Sequence, residues 1–394
     1  MNTKKIAYFL IISMLIGAGR FAYASQEDNR YLVKTTAGFW KKSFGVRHNF
    51  DNGFTADLSD FQLKLAKIFN VEVEPVKKLS ILPAEAEQSV SKGKPAMPRQ
   101  TPSETIPWGV KTIYNDPILI QPSGGVGVKV AVLDTGVLKS HPDLKNRIIG
   151  CKDFTSAKVP LIDGKCEDKN GHGTHVAGII AADGGDDGLG IYGIAPEAEV
   201  LAYKVCGNNG SCWADDIAVA LRNAADNGVQ IVNLSLGSDT PSQLITDAIL
   251  YAVSKNVLVV AAAGNDGPYV GSIDYPGASV DVIGVGAIDI NMNITDWSSR
   301  GINSLTVPYI TEEGDIEFAA PGVNIESTWK DSGYAIMSGT SMATPHVAGL
   351  AAKLWQADAL SNAASATRDI LHKHSIDLLP LLDDDASGWG LPRM

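Results

Sequence analysis

The run Val128-Lys129-Val130-Ala131-Val132-Leu133-Asp134-Thr135-Gly136 decides the fold class of this chain. Its apolar residues are nearly continuous, which is typical of a parallel strand buried on both faces. Asp134 follows at the carboxyl end of the strand, where open α/β sheets place their ligands. Similar apolar runs recur at 199–205, 229–236, 257–263 and 282–285.

Helical patterns separate these strands, at 172–182, 214–227, 243–255 and 341–355. Strands that alternate with helices predict an α/β fold with a parallel sheet covered by helices on both faces. The front of the chain differs. Residues 26–82 combine short strands at 31–33 and 71–74 with a helix that opens on a Ser59/Gln62 capping box. We therefore expect a small α+β unit there, followed by a polar, proline-containing linker over 83–105.

Composition narrows the classes of function. The chain has 394 residues, of which 45% are hydrophobic and 20% charged, and its formal net charge is −11. The excess of acid lies after residue 99, and no basic patch of the kind that binds nucleic acid is evident. An acidic body of this kind suits solubility and the binding of hard cations.

The first residues indicate export. Lys4 and Lys5 precede an apolar run over 6–16, and Ala22-Tyr23-Ala24 is a small-x-small cleavage site. The run is too short to span a bilayer, and no later segment approaches the 18 apolar residues that a span needs. We expect a signal peptide of the bacterial type over 1–24 and a secreted protein with no membrane span.

The four cysteines are Cys151, Cys166, Cys206 and Cys212. An even number in an exported chain favours two disulfides, and the local pairing 151–166 and 206–212 is the simplest of the three connectivities. No C-x-x-C pair is present, so a zinc site is disfavoured.

Two further motifs complete a constellation with Asp134. His172 lies between glycines at the start of a predicted helix, in Asn170-Gly171-His172-Gly173-Thr174-His175. Ser341 starts another helix, in Ser338-Gly339-Thr340-Ser341-Met342-Ala343-Thr344-Pro345-His346-Val347-Ala348-Gly349. Alone, each has an ordinary explanation: a helix cap, a structural histidine, a loop serine. Together they supply an acid, a base and a nucleophile.

These motifs, in the order Asp, His, Ser, resemble the subtilisin-like serine proteases (subtilases) over about residues 100–390. The resemblance implies a three-layer, doubly wound, mostly parallel sheet with a small α+β propeptide domain. It also implies a secreted serine endopeptidase that works through an acyl-enzyme, with Asp134, His172 and Ser341 as the triad. Asn265, in Ala261-Ala262-Ala263-Gly264-Asn265-Asp266-Gly267, matches the side-chain donor of the oxyanion hole.

The resemblance also implies a substrate groove. Ser235, Leu236 and Gly237 would pair with an extended substrate, while Ala262, Ala263 and Gly264 would line the other wall of the primary pocket. Asp274 matches the base of that pocket and would favour Arg or Lys before the scissile bond. Cleavage after Arg99, shortly before Ile106-Pro107-Trp108, would agree with that preference. The alternative is an Asp274 that faces solvent or caps a turn, with an aromatic or aliphatic preference.

A structural Ca²⁺ is the cofactor that the resemblance implies. Asp143 and Asp187 would supply carboxylates, and Leu189 and Ile191 would supply carbonyls. The loop around Asp187 is two residues longer than the usual family form, and a solvated acidic loop is the alternative reading.

We therefore divide the chain into a signal peptide (1–24), a propeptide and linker (25–99) and a catalytic domain (100–394). The expected partners are protein or peptide substrates and the chain's own propeptide as inhibitor, with no nucleic acid, and we expect a monomer. A pseudoenzyme or binding module, a dedicated processing peptidase and a metallopeptidase are the competing hypotheses. The insertion 302–318 has no assigned role.

Overall fold

The structure is a computed structural model that describes residues 29–82, 100–303, 310–378 and 383–394. The predicted signal peptide and the Arg99 cleavage site lie outside the described residues. The chain divides into two compact units. One comprises the chain up to Val46 together with Asp51–Pro75, and the other comprises Arg47–Phe50 and Val76–Met394.

The first part of the chain contains β1 (Arg30–Val33), α1 (Gly38–Phe44), β2 (Asn49–Phe50), β3 (Gly53–Asp57), α2 (Asp60–Ile68) and β4 (Val73–Pro75). In the first unit β1 pairs antiparallel with both β3 and β4. The capping box is confirmed, because Ser59 Oγ accepts from the Gln62 N–H while Gln62 Oε1 accepts from the Ser59 N–H. The core of this unit consists of Val33, Phe44, Phe54, Ala56, Leu58 and Ala66.

The second unit contains the remaining elements. Its strands are β5 (Lys78–Ile81), β6 (Lys129–Asp134), β7 (Ile148–Asp153), β8 (Ile162–Asp163), β9 (Glu199–Lys204), β10 (Ser211–Trp213), β11 (Ile231–Leu234), β12 (Leu236–Gly237), β13 (Leu258–Ala262), β14 (Ile283–Ile288), β15 (Phe318–Pro321), β16 (Ile325–Thr328), β17 (Tyr334–Met337), β18 (Ser375–Ile376) and β19 (Leu391–Pro392). Its α-helices are α3 (Trp108–Tyr114), α4 (His172–Ala181), α5 (Ala214–Asp226), α6 (Gln243–Ser254), α7 (Thr340–Lys353) and α8 (Ala363–Lys373), and a 3₁₀ turn spans Ala357–Asn362.

An eight-stranded sheet in the order β15-β14-β13-β11-β6-β9-β7-β8 organises this unit. Its strands are parallel except for the short edge strand β8, which runs antiparallel to β7. Helices α4 and α7 pack together and against the sheet, and α5 and α6 form a second pair that also contacts it. The three-layer, mostly parallel α/β fold expected from the sequence is confirmed.

Helices α4 and α7 have no polar face. Every residue of α4 is buried, as are the first thirteen residues of α7. A helix that is buried all round lies in the core of a large domain, so polar residues on these two helices are there for bonding or chemistry. Both candidate residues His172 and Ser341 lie in their first turns.

Two disulfides, Cys151–Cys166 and Cys206–Cys212, match the local pairing. Over the part of the chain that the structure describes, no helix has both the length and the apolar composition needed to cross a bilayer.

Candidate active site

The structure brings Asp134 and His172 together at the carboxyl end of the central strand β6. Nδ1 of His172 lies 2.9 Å from each carboxylate oxygen of Asp134, and both side chains are fully buried. The carboxylate thereby fixes a proton on Nδ1. Within the described residues, Nε2 of His172 has no hydrogen-bond partner, so this nitrogen is available to accept a proton.

Asp168, which sequence reasoning missed, orders the start of helix α4. Its Oδ1 accepts from the backbone N–H groups of Asn170 and Gly171 and from the Thr135 hydroxyl. Its Oδ2 accepts from the N–H and hydroxyl of Thr174. An acidic residue shortly before a helix start is a recognisable capping signal, and it could have been found in the sequence.

Ser341 lies in the first turn of α7, but its hydroxyl does not bond to His172. It donates instead to the carbonyl of Ser235, at 3.0 Å. In return the Ser235 hydroxyl donates to the carbonyl of Ser341, at 2.9 Å. That carbonyl is free for the contact because Pro345, four residues later, has no N–H to complete the helical bond.

Asn265 follows strand β13 and points its amide into the groove. Its Nδ2 donates to the carbonyl of Leu82 at 2.6 Å. Its Oδ1 accepts from the N–H and the hydroxyl of Thr340, both at 3.0 Å. Because Thr340 offers only donors to Oδ1, the amide is held with its nitrogen facing the Leu82 carbonyl. Thr340 is a second positioning residue that the sequence analysis missed.

The strand β5 lies in the groove between β10 and β12. Ile81 and Ser80 pair antiparallel with Leu236 and Gly237, whereas Ser235 bonds to Ser341. On the other side, Ser80, Leu79 and Lys78 pair with Ser211, Cys212 and Trp213. An extended segment thus completes a three-stranded sheet at this position.

Leu82 and Asp274 both lie beside Gly237, and Asp274 also lies beside Gly264. A methyl group added to Gly237 would lie 2.9 Å from Oδ2 of Asp274 and 3.0 Å from Cδ1 of Leu82. One added to Gly264 would also lie 2.9 Å from Oδ2 of Asp274. Gly237 and Gly264 therefore have no room for a side chain. The side chains of Leu82 and Asp274 both lie close to Gly237. Ala262 and Ala263, on the same wall as Gly264, are fully buried.

Asp274 packs against both glycines and is only 2% exposed. Its N–H donates to the Ala263 carbonyl at 2.7 Å, which holds it against the wall. Burial, reinforced by the nearby charges of Asp266 and Asp239, raises the pKa of Asp274 to about 7. The side chain does not face solvent, contrary to the alternative reading of its position.

The residues expected to hold calcium meet in part. Oδ2 of the buried Asp143 accepts from the Ile191 N–H and from the Tyr334 hydroxyl. A methyl group on Gly185 would lie 3.0 Å from Oδ1 of Asp143 and 3.7 Å from Oδ1 of Asp187, so these two oxygens face the same loop. The Ile191 carbonyl accepts from the Gly184 N–H, while Asp187 Oδ1 accepts from the Leu189 N–H.

His175 and His346 are fully buried structural histidines. Nε2 of His175 lies 3.0 Å from the carbonyls of Ile325 and Ala335, and Nδ1 of His346 lies 2.8 Å from the carbonyl of Met342. Burial lowers the pKa of His175 to about 3 and that of His346 to about 4. Both are therefore neutral at physiological pH.

Comparison with known proteins gives a consistent result. Residues 125–390 match the model of the subtilase family, a peptidase family. A subtilisin from Bacillus sp. (strain TA39) is 45% identical over 368 residues, which cover 89% of this chain and 86% of that protein. The M-protease of Shouchella clausii (strain KSM-K16) is 36% identical over 88% of this chain and 86% of its own length.

Solved structures agree. The S41 psychrophilic protease and sphericase each align with a TM-score of 0.71 at 47% identity. Each alignment covers 74% of this chain and 99% of the other protein.

Proposed function

Because the chain belongs to the subtilisin-like serine protease family, we propose that its peptidase activity depends on Asp134, His172 and Ser341 as a catalytic triad. One observation carries this proposal: Asp134 holds Nδ1 of the buried His172 at 2.9 Å, while Nε2 has no partner among the described residues. That arrangement prepares an imidazole to act as a general base.

In the proposed mechanism, Ser341 leaves the Ser235 carbonyl and passes its proton to Nε2 of His172 as Oγ attacks the substrate carbonyl. Asp134 stabilises the imidazolium that forms. The oxyanion is bound by Nδ2 of Asn265 and by the N–H of Ser341, which lies in the first helical turn and has no helical acceptor. His172 then returns the proton to the leaving amine, and water hydrolyses the acyl-enzyme.

We assign residues 25–99 to a propeptide that inhibits the enzyme through its C-terminal part. The support is the pairing of β5 within the groove and the contact of the Leu82 carbonyl with Asn265. Parallel sheets depend on non-local contacts and fold slowly, so a segment that joins two distant parts of the groove is also suited to assist folding. Self-cleavage after Arg99 remains our proposal for maturation.

We further propose that Asp274 gives the primary pocket a preference for Arg or Lys. A carboxylate at the inner end of a pocket pairs with a cationic side chain through a charge-assisted hydrogen bond. The apolar side chain of Leu82 also lies beside Gly237, so an aliphatic side chain would be accepted there as well.

Calcium is proposed as a structural ion. The donors are hard oxygens: the carboxylates of Asp143 and Asp187 face one loop, and the carbonyls of Leu189 and Ile191 lie in it. Bound there, the ion would neutralise an acidic loop and hold it in place. The signal peptide, secretion and a monomeric state complete the proposal.

Replacing Ser341 tests the catalytic assignment. The wild-type chain should cleave peptide substrates and shorten itself, whereas Ser341→Ala should remain full length and inactive. Ser338→Ala, three residues earlier in the same segment, is the matched control and should process normally. Equal self-processing by wild type and Ser341→Ala would refute the assignment.

A further inference from the structure

Three carboxylates converge at the primary pocket. Asp239, Asp266 and Asp274 each offer an oxygen atom, and these oxygens all lie within 4.8 Å of one another. Asp239 and Asp266 are exposed at the rim, whereas Asp274 is 98% buried at the inner end. The triad of Asp134, His172 and Ser341 uses none of them.

Among the described residues, no side chain balances the negative charge of Asp274. Over the described residues, its carboxylate accepts no hydrogen bond, and no Lys or Arg pairs with Asp239, Asp266 or Asp274. A buried carboxylate without a donor is costly, and two further acids at its side add repulsion. This arrangement is stable when a ligand supplies the missing positive charge.

Two glycines border the carboxylate of Asp274. A methyl group on Gly237 or on Gly264 would lie 2.9 Å from its Oδ2, so a side chain at either position would crowd this oxygen. The exposed rim acids leave access from solvent, so water molecules can complete a coordination shell. Several carboxylate oxygens at an open rim are the ligands that hard divalent cations take in proteins.

We propose that Asp239, Asp266 and Asp274 bind a hard divalent cation, of which Ca²⁺ is the natural probe. A divalent ion balances three carboxylates better than one ammonium or guanidinium does. Insofar as the site regulates cleavage, the inference rests on the proposed function. A cation bound at Asp274 occupies the place of a basic substrate side chain and competes with it.

Calcium titration calorimetry tests the binding itself, without any need for peptidase activity. The comparison uses full-length chains that carry Ser341→Ala, alone and combined with Asp274→Asn, Asp239→Asn or Asp358→Asn. We expect Asp274→Asn to remove one calcium per chain and Asp239→Asn to weaken that site at least tenfold. Asp358 is an exposed acid far along the chain, and Asp358→Asn should change nothing.

Equal stoichiometry and affinity in the Ser341→Ala chain and its Asp274→Asn derivative would overturn the proposal. Circular dichroism of each variant checks that the fold is intact, and Asp266→Asn offers a second test at an exposed position. Enzyme kinetics distinguish the cation site from the proposed preference for Arg or Lys substrates. In active enzyme, added Ca²⁺ should raise KM for an Arg substrate and leave kcat unchanged. If calorimetry finds the site but Arg substrates are not cleaved, the specificity proposal fails and the cation site stands.

Discussion

The side-chain nitrogen of Asn265 lies 2.6 Å from the main-chain carbonyl oxygen of Leu82. That carbonyl belongs to the peptide bond between Leu82 and Pro83. The contact shows that the Asn265 amide can donate to a main-chain carbonyl at this position, as the proposed oxyanion hole requires, and Thr340 fixes the orientation of the amide.

Replacing Asn265 by Leu should lower kcat by about 10²–10³ with little change in KM, a magnitude taken from subtilisin itself. The side chain keeps its size but loses the amide that we propose as an oxyanion-hole donor. Thr340→Val, which removes only one of the two bonds to Oδ1, should cause a smaller loss. Steady-state kinetics on one peptide substrate decide the matter. A raised KM with unchanged kcat would instead assign Asn265 to ground-state binding.

Asp274→Asn should lower kcat/KM for a substrate with Arg before the scissile bond by about 10–100-fold, the value of a hydrogen bond between charged groups. The same variant should cleave a Leu substrate as well as wild type does, because no charge meets Asp274 there. Asp358→Asn should leave kcat/KM unchanged for both the Arg and the Leu substrate. If wild type turns over Phe and Leu but not Arg, the basic preference is wrong.

Glu317→Ala should destabilise the fold by about 3–5 kcal/mol, as removal of one member of a buried ion cluster does. Glu317 is 1% exposed and bonds to Arg368 at 2.6 and 2.7 Å and to His372 at 2.7 Å. Burial alone would raise the pKa of Glu317, but Arg368 and His372 outweigh it and lower the pKa. Urea unfolding in the Ser341→Ala background avoids self-digestion.

The comparison for Glu317→Ala is Glu72→Ala, which breaks an exposed pair with Lys34. That change should not shift the midpoint measurably, since exposed pairs contribute little. Equal shifts from both variants would show that burial of the Glu317 cluster is not what matters.

Stability should fall as the pH drops from 6.5 toward 4, because His175 and His346 are buried in the neutral form. Their folded-state pKa values are about 3 and about 4, below the ordinary 6.5. Between pH 6.5 and 4 the unfolded chain binds protons that the folded chain does not. The contribution of the two neutral histidines to the free energy of unfolding is therefore complete above pH 6.5 and is lost on acidification. For His346 alone the loss is roughly 3 kcal/mol.

His346→Gln should flatten the pH dependence between 6.5 and 4 in the Ser341→Ala background, measured by urea unfolding at each pH. His374→Gln is the control, because His374 is more exposed. An unchanged slope in His346→Gln would mean that other groups dominate acid unfolding.

The sequence predicts the central architecture well, because continuous apolar strands and wholly apolar helices have few alternatives. The helix predicted over 172–182 is observed at His172–Ala181, and the strand over 257–263 at Leu258–Ala262. The sequence analysis did not predict the strands at the edge of the central sheet or in the hairpin that follows. Strand β15 begins at the last residue of the insertion at 302–318, and the hairpin β16–β17 follows it. None of these strands has a hydrophobic period that distinguishes it from a loop.

The polar contacts of the site were only partly predictable. Motifs predict Asp134, His172, Ser341 and Asn265 as site residues. They do not predict that the Ser341 hydroxyl bonds to Ser235, because that contact joins residues 106 positions apart. Nor could periodicity show that Phe61 and Ile68 in α2 would be 54% and 74% exposed. Side-chain burial on a short helix depends on what packs against it, which local sequence does not contain.

The hydroxyl of Tyr334 holds Asp143, 2.8 Å away, and so ties the proposed calcium loop to the hairpin that leads into Ser341. If calcium binds there as proposed, a chelator or a detergent that sequesters hard cations would loosen this loop and, through Tyr334, the hairpin as well. Inactivation would then begin with loss of the hydrogen bond between Tyr334 and Asp143 and would reach Ser341 through the few residues that separate it from Tyr334. Substitutions intended to prolong activity in a chelating solution should therefore stabilise the contact between Tyr334 and Asp143 first.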